Sequence, residues 1–428
     1  MVFSLRFHSV TLDADRCRGC INCIKRCPTQ AIRVRNRKAV ILSALCIDCG
    51  ECIRVCPHHA KKAVFDSAEM LSDYTYTVAM PAPTIYGQIA NMDDIDYALT
   101  AFKQLGFDDV FEVSRAAELV SEATRHMMQQ GNLRFPIISS ACPVVERLIR
   151  IRFPDLCENI LPLLSPMELG ARMARREAVR KTGLPPEKIG VFFISPCPAK
   201  VTDAKQPIGC EASAVSGVLS IADIYPKLIG KMNKIRTPEP LSKTGLIGVS
   251  WAGSGGESAA LLDNSYLAAD GIENVIKVLE EVEDDKLSDV HFIELNACPG
   301  GCVGGVMTVE NPYVARTRIQ LLRKYLPISK NHLPGEEIPE EMRWDKPIKP
   351  SKALKLSDSI TESMRMRTEI DDTCARLPGL DCGSCGAPTC RALAEDVVKG
   401  LASENDCVFT LRERVRELAS SLTGFRQF

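Results

Sequence analysis

The chain has 428 residues, 45% of them apolar, and a formal net charge of −1. That length holds two or three domains with their own cores, and the near-neutral balance excludes a dedicated nucleic-acid or membrane-surface binder. No run approaches the ~18 apolar residues of a membrane span, and the opening MVFSLRFHSVTLDADRC turns acidic too soon for a secretory signal. The protein therefore reads as soluble and cytoplasmic. Nineteen cysteines are the dominant feature. In a large chain without an export signal, tight C-x-x-C spacings mean metal thiolates rather than disulfides, and oxygen-labile thiolate clusters point to an anaerobe.

Cys17, Cys20, Cys23 and Cys27 are followed, each 29 residues later, by Cys46, Cys49, Cys52 and Cys56. Both sets read C-x2-C-x2-C-x3-C-P. Three thiolates on one loop grip three corners of a cubane, and the fourth points away to the other cluster. The expected sets are Cys17, Cys20, Cys23 and Cys56 for one 4Fe–4S cluster, and Cys27, Cys46, Cys49 and Cys52 for its twin. Zinc prefers two knuckles separated by a longer stretch, which these matched quartets fit poorly. The segment, residues 1–68, resembles the bacterial two-cluster ferredoxin, an α+β fold. His58 and His59 read as surface residues.

From about residue 70, apolar stretches such as TYTVAMPAP, RFPIISSACP, IGVFFISPCP and DVHFIELNACP alternate with helical patterns such as AAELVSEATRHMMQQ. This alternation suggests α/β lobes with mainly parallel sheets, whose ligands gather beyond the carboxyl ends of strands. Three of these strands end at Cys142, Cys197 and Cys298, and Cys302 follows in ACPGGCVGG. A lone buried cysteine is ordinarily a small core residue. Four of them, three as C-P, predict one buried four-thiolate site, with Gly300, Gly301, Gly304 and Gly305 letting backbone approach the metal.

The segments ISSACP, SPCPAK and ELNACPGGCVGG resemble, in order, the three signature loops of the FeFe-hydrogenase catalytic domain. APT at Ala82–Thr84 (hence Pro83 and Thr84) and AGSGGESAAL after Trp251 match weaker family segments. The resemblance implies a two-lobed H-cluster domain over residues 69–332. In it Cys142, Cys197, Cys298 and Cys302 hold a 4Fe–4S cluster, and Cys302 bridges to a di-iron unit bearing carbonyl, cyanide and azadithiolate. It further implies that Lys200 donates a hydrogen bond to a cyanide, which suits a cation facing an anionic acceptor in a low-dielectric pocket. The family reaction is reversible cleavage of hydrogen into two protons and two electrons. Dedicated maturases insert the di-iron unit, so protein made without them is expected to hold only cubanes.

The same resemblance shows departures. Ala141 stands where fast members carry a proton-relaying cysteine, and a methyl group relays nothing. Glu118 matches an acidic residue of the family's proton path, but its partner one turn earlier is Arg115. Ser195 and Asn296 replace methionines packed against the di-iron unit, and Trp251 replaces a phenylalanine. Losing a positioned acid–base group costs about 10²–10⁴-fold, so turnover is expected to be slow unless water substitutes. SSACP-type members form a branch regarded as sensory.

Residues 333–370 are Pro- and charge-rich and read as a linker or arm. Cys382, Cys385, Cys390 and Cys407, spaced C-x2-C-x4-C-x16-C, then resemble a small, mainly α 4Fe–4S domain over 371–410, with zinc as the alternative. Cys157, Cys210 and Cys374 read as free thiols. Residues 411–428 carry apolar residues at helical spacing with alternating charges, the start of a helix that could pair in a coiled coil.

The chain is thus expected to be a multidomain protein with three accessory 4Fe–4S clusters and an H-cluster. The leading reading is a low-activity FeFe hydrogenase that senses hydrogen and relays electrons to a signalling output. That output would be a partner protein or a PAS-type module missing from this sequence, with a homodimer as the assembly. One alternative is a catalytic hydrogenase exchanging electrons with ferredoxin. A further alternative is a cubane-only electron-transfer or assembly protein without the di-iron unit.

Overall fold

The computed structural model describes residues 7–335 and 337–424. In the first segment the 29-residue repeat is written into the backbone. Four-residue helices begin at Asn22 and at Glu51, and left-handed residues fall in matched pairs, Gly19 with Asp48 and Gln30 with His59. At Gly19 a β-carbon would lie 2.5 Å from the Arg37 carbonyl oxygen, so the turn requires glycine. Two antiparallel ribbons, Val10–Leu12 with Lys61–Ala63 and Ile32–Arg35 with Lys38–Ile41, frame the cysteine loops. His58 and His59 are exposed.

The central segment forms two lobes around parallel sheets. One sheet has the order Asp109–Val110, Tyr76–Pro81, Ile189–Ser195, Gly217–Ser220; the other runs Tyr266–Asp270, Phe292–Asn296, Ile137–Ile138. All seven residues of Ile189–Ser195 are buried, which is why that strand reads as an unbroken apolar run. The strands ending at Pro81 and Ser195 in one lobe, and at Ile138 and Asn296 in the other, run directly into the loops that carry Thr84, Cys197, Cys142 and Cys298. Among the described residues no helix is long and apolar enough to cross a membrane.

Glu112 precedes the long helix Val113–Gln130 and is buried, accepting hydrogen bonds from the Tyr86 hydroxyl at 3.1 Å and Lys243 N at 2.7 Å. Burial pushes its carboxyl up to about 7. The folded state therefore holds this proton more tightly than the unfolded chain does. The associated stability is full below the ordinary glutamate range, near 4.5, and is lost as pH rises toward 7. Glu112→Gln is expected to match the wild-type Tm at pH 5 and to exceed it at pH 8, measured by thermal denaturation.

The arm over 333–370 is strapped down rather than slack. Ile338 and Met342 are buried in a core with Leu163 and Phe292, Leu164 N donates to the Met342 carbonyl at 2.8 Å, and Trp344 covers Gly209. Helix Ile360–Arg376 begins inside the expected arm and crosses its boundary at 370. Only Ile370 and Thr373 on it are buried, so the apolar stripe is too narrow to show in the composition. That helix packs with Cys390–Val398 in one small core. The last helix, Val408–Gly424, exposes Val408, Leu411, Val415 and Leu418 at alternating steps of three and four, the spacing of a coiled-coil seam.

The ferredoxin-like segment lies between the other two. On one side Arg54 donates to the Gly304 carbonyl at 3.0 Å, Ile47 joins the core around Ile138, and Asp48 accepts from Ser9 N and the Thr202 hydroxyl. On the other side Val34 N donates to the Gly386 carbonyl at 2.7 Å, Lys25 reaches the carbonyls of Asp381 and Pro388, and Arg33 and Arg35 both pair with Asp396.

Candidate metal centres

The two lobes aim their strand ends at one cavity of about 100 Å³. Cys142, Cys197, Cys298 and Cys302 all line it, three at the ends of strands and Cys302 one tight turn beyond Cys298. The four are close enough to act on one another electrostatically: Cys298 feels the other three, and Cys302 feels Cys142 and Cys197. Burial pushes the Cys197 and Cys302 thiols up to about 12 and Cys298 well above its usual range, with the neighbouring cysteines adding to it. Four sulfurs held in a dry pocket are costly as thiolates unless a cation neutralises them, which is the condition a metal cluster satisfies. Cys302 is open to the cavity although it lies deep in the protein, so its free face is turned to the internal space.

The rest of the wall fits a cluster extended by a group with acceptor atoms. Thr84 is fully buried and its hydroxyl finds no hydrogen-bond partner among the described residues. Lys200 borders the same cavity, and among the described residues its Nζ has only a long 3.4 Å contact to Asp203. Both are donors without a full complement of acceptors. Pro83, Ala141, Trp251, Asn296 and Gly301 also line the cavity, and the Trp251 ring is fixed by Nε1 donating to Ser121 Oγ at 3.0 Å.

Two expected residues, Ser195 and Glu118, lie off the cavity wall. Ser195 is buried outside the cavity wall; its hydroxyl accepts from Cys197 N and donates to the Cys197 carbonyl, both at 3.0 Å, so it shapes the cysteine turn rather than facing a ligand. Glu118 also lies off the cavity. Its carboxylate receives six donors: Thr244 Oγ1, Gly245 N, Ser329 Oγ, Lys330 N, Asn331 N and Asn331 Nδ2. A carboxylate so saturated staples two loops and has no lone pair left for a travelling proton, and Arg115 is paired with Glu177. Gly301 and Gly305 line the cavity and also nest loops: a β-carbon at Gly301 would lie 2.4 Å from Ser254 N, and one at Gly305 2.2 Å from the Pro196 carbonyl oxygen.

A buried carboxyl pair went unread in the sequence. Glu294 accepts from Asn296 Nδ2 at 2.8 Å and from the backbone N–H groups of Gly255 and Ser258, both at 2.9 Å. Glu257 takes the Ser139 hydroxyl at 2.7 Å, and Ser139 Oγ in turn accepts from Ala141 N at 3.1 Å. Burial raises both carboxyls, Glu257 well above its usual range, with Glu294 adding to that shift. Glu257 and Glu294 thus form a unit suited to holding one proton. It touches the cavity wall at Asn296 and, through Ser139, at Ala141. The signal was present only as two glutamates in apolar loops, without a spacing to connect them.

Cys17, Cys20, Cys23 and Cys56 line one cavity of about 20 Å³, and Cys27, Cys46, Cys49 and Cys52 line a second of the same size. His8 brings a ring nitrogen within 4.8 Å of the Cys46 sulfur and an Asp48 oxygen. In the C-terminal region Cys385, Cys390 and Cys407 share one small core, and Cys382 and Cys407 both act on Cys385. Cys390 starts its helix with its N–H on Asp381 at 2.6 Å. Cys157 and Cys210 are buried and line none of these cavities.

Comparison with known proteins agrees with this layout. Residues 9–57 match the 4Fe-4S dicluster domain and 377–409 match an Fe-S cluster family. The NADP-reducing hydrogenase subunit HndD of Solidesulfovibrio fructosivorans is 24% identical over 375 residues, covering 69% of this chain and 64% of its own length. Iron hydrogenase 1 of Clostridium pasteurianum is 22% identical over 371 residues, covering 70% of this chain and 65% of its own. The chain therefore spans just under two thirds of each of these relatives. A solved structure of an [FeFe]-hydrogenase HydA1 variant from Chlamydomonas reinhardtii aligns with a TM-score of 0.47 at 15% identity, over 60% of this chain and 85% of that one. Residues 75–262 and 258–306, more than half the chain, match the iron only hydrogenase large subunit, C-terminal domain, and the protein belongs to that family.

Proposed function

We propose that this protein is a hydrogen-responsive FeFe-hydrogenase that turns over slowly and passes electrons outward through its 4Fe–4S clusters to a signalling output. When bound, the H-cluster would supply the reversible splitting of hydrogen. Cys142, Cys197, Cys298 and Cys302 would hold it, with the Lys200 ammonium and the Thr84 hydroxyl donating to its anionic acceptor ligands. The observation that carries the reading is the wall at Ala141: a methyl group lines the cavity, and the carboxylate expected further along that route, Glu118, is saturated with donors. Protons instead have the carboxyl pair Glu294 and Glu257, reached through Asn296 and Ser139.

The placement of the domains supports an outward electron route. The second cysteine quartet abuts the hydrogenase lobe, since Cys49 packs on its core, and the ferredoxin-like segment meets the C-terminal domain at Lys25, which acts on Cys382. Electrons would run from the central cavity through the second quartet, then the first, to Cys382, Cys385, Cys390 and Cys407. Maturated protein tests the reading. Infrared bands of metal-bound carbonyl and cyanide together with turnover far below that of fast hydrogenases are expected. Fast turnover overturns the sensor, and missing bands after maturation favour the cubane-only class.

A further inference from the structure

The two cubane sites of the ferredoxin-like segment are related by the 29-residue repeat, yet several cavity-lining repeat positions differ in charge: Arg18 against Ile47, Asn22 against Glu51, and Lys61 against Ile32. Position 32 is isoleucine and lines the cavity of the second quartet, whereas its counterpart, Lys61, lines the cavity of the first. Lys61 begins the strand Lys61–Ala63 and is only 3% exposed, while its neighbour Lys62 turns outward to Asp13. The Lys61 Nζ is buried and finds no hydrogen-bond partner among the described residues. A buried ammonium without a partner is costly, so a charge kept there needs an anion close by. The surrounding groups that its charge reaches are Cys23 and Cys56 of the first quartet and Cys52 of the second.

We propose that Lys61 is the countercharge of the first cubane, placed so that this cluster is easier to reduce than its twin. Reduction adds a negative charge to a cluster already held by thiolates, and a fixed cation at the cavity wall favours the reduced form. Lys61 lines the cavity of the first quartet and not that of the second, so the effect there is the larger. On the proposed electron route the first cluster is the step before the C-terminal domain. Lys61 therefore tilts electrons away from the hydrogen cavity and toward the outer cluster, giving the chain of centres a direction. This rests on the cubane reading of the two quartets.

The test is a potentiometric titration of the full-length, cluster-loaded protein followed by electron paramagnetic resonance. In the wild type two distinct midpoints are expected from the ferredoxin-like segment. Lys61→Met should move the higher midpoint downward and narrow the gap, whereas Lys61→Arg should keep it. Should Lys61→Met fail to assemble clusters, Lys61→Gln keeps a polar head and reads the same loss of charge. Midpoints that stay put, or that shift equally, overturn the role of Lys61. Absence of any 4Fe–4S signal from this segment in the wild type overturns the cubane reading instead.

Discussion

In fully maturated protein, Glu257→Gln is expected to slow hydrogen turnover by about 10²–10⁴-fold, the usual cost of losing a positioned acid–base group. The infrared bands of metal-bound carbonyl and cyanide should stay in place. The substitution is chosen for its shape. Glutamine keeps an oxygen to accept the Ser139 hydroxyl, which now lies 2.7 Å from the carboxyl, and removes only the exchangeable acid. The same change at Glu294 would be less clean, because both of its oxygens accept backbone N–H groups and an amide would set donor against donor. Burial and Glu294 hold Glu257 well above the ordinary carboxyl range, which favours its proton-carrying form. Ala141→Cys provides the comparison. It restores a relay atom at the cavity, but the saturated Glu118 offers it no acceptor, so it should change the rate far less than Glu257→Gln. A Glu257→Gln rate equal to wild type would remove the carboxyl pair from the proton route.

Spacing made the accessory sites legible. Eight cysteines in two quartets 29 residues apart leave little choice of partner, and each cavity gathers three cysteines of one repeat with the fourth of the other. The central site was legible only in part. Cys142, Cys197 and Cys298 could be assigned to strand ends because apolar runs stop there, but nothing in the composition says that two separate sheets face each other across them. Side-chain direction was the least readable. Ser195 is two residues from a cysteine of the site, yet its hydroxyl closes a local turn. Glu118 sits on a helix whose neighbours arrive from residues 244 and 329–331, a meeting no local pattern encodes. The arm misled for a related reason. Charged, Pro-rich sequence suggests a free linker, but Met342 and Trp344 supply enough buried apolar surface to fasten it.

Asp396→Ala is expected to release the C-terminal domain from the ferredoxin-like segment. The Asp396 side chain is 7% exposed and holds Arg33 at 2.7 Å and Arg35 at 2.6 Å, with Arg33 equally buried. Removing one partner of a buried pair costs about 3–5 kcal/mol, because the charge left behind has no water to turn to. The remaining contacts across this joint include the Val34–Gly386 backbone hydrogen bond, the Lys25 reach to two carbonyls, the Arg35 hydrogen bond to the Cys385 carbonyl, the Thr389 hydroxyl on Gln30, and the close seat of Gly386 on Val34, where a β-carbon would lie 2.1 Å from the Val34 oxygen. None replaces a buried charge. Small-angle scattering should show an extended molecule, and reduction of the outer cluster by hydrogen should slow while cluster content and turnover with an artificial electron acceptor are kept. Asp396→Asn separates charge from shape: it preserves hydrogen bonding to Arg33 but leaves the arginines unneutralised, so its release should be partial. An outer cluster that is reduced as fast in Asp396→Ala as in the wild type would mean that electrons leave the first quartet by another face.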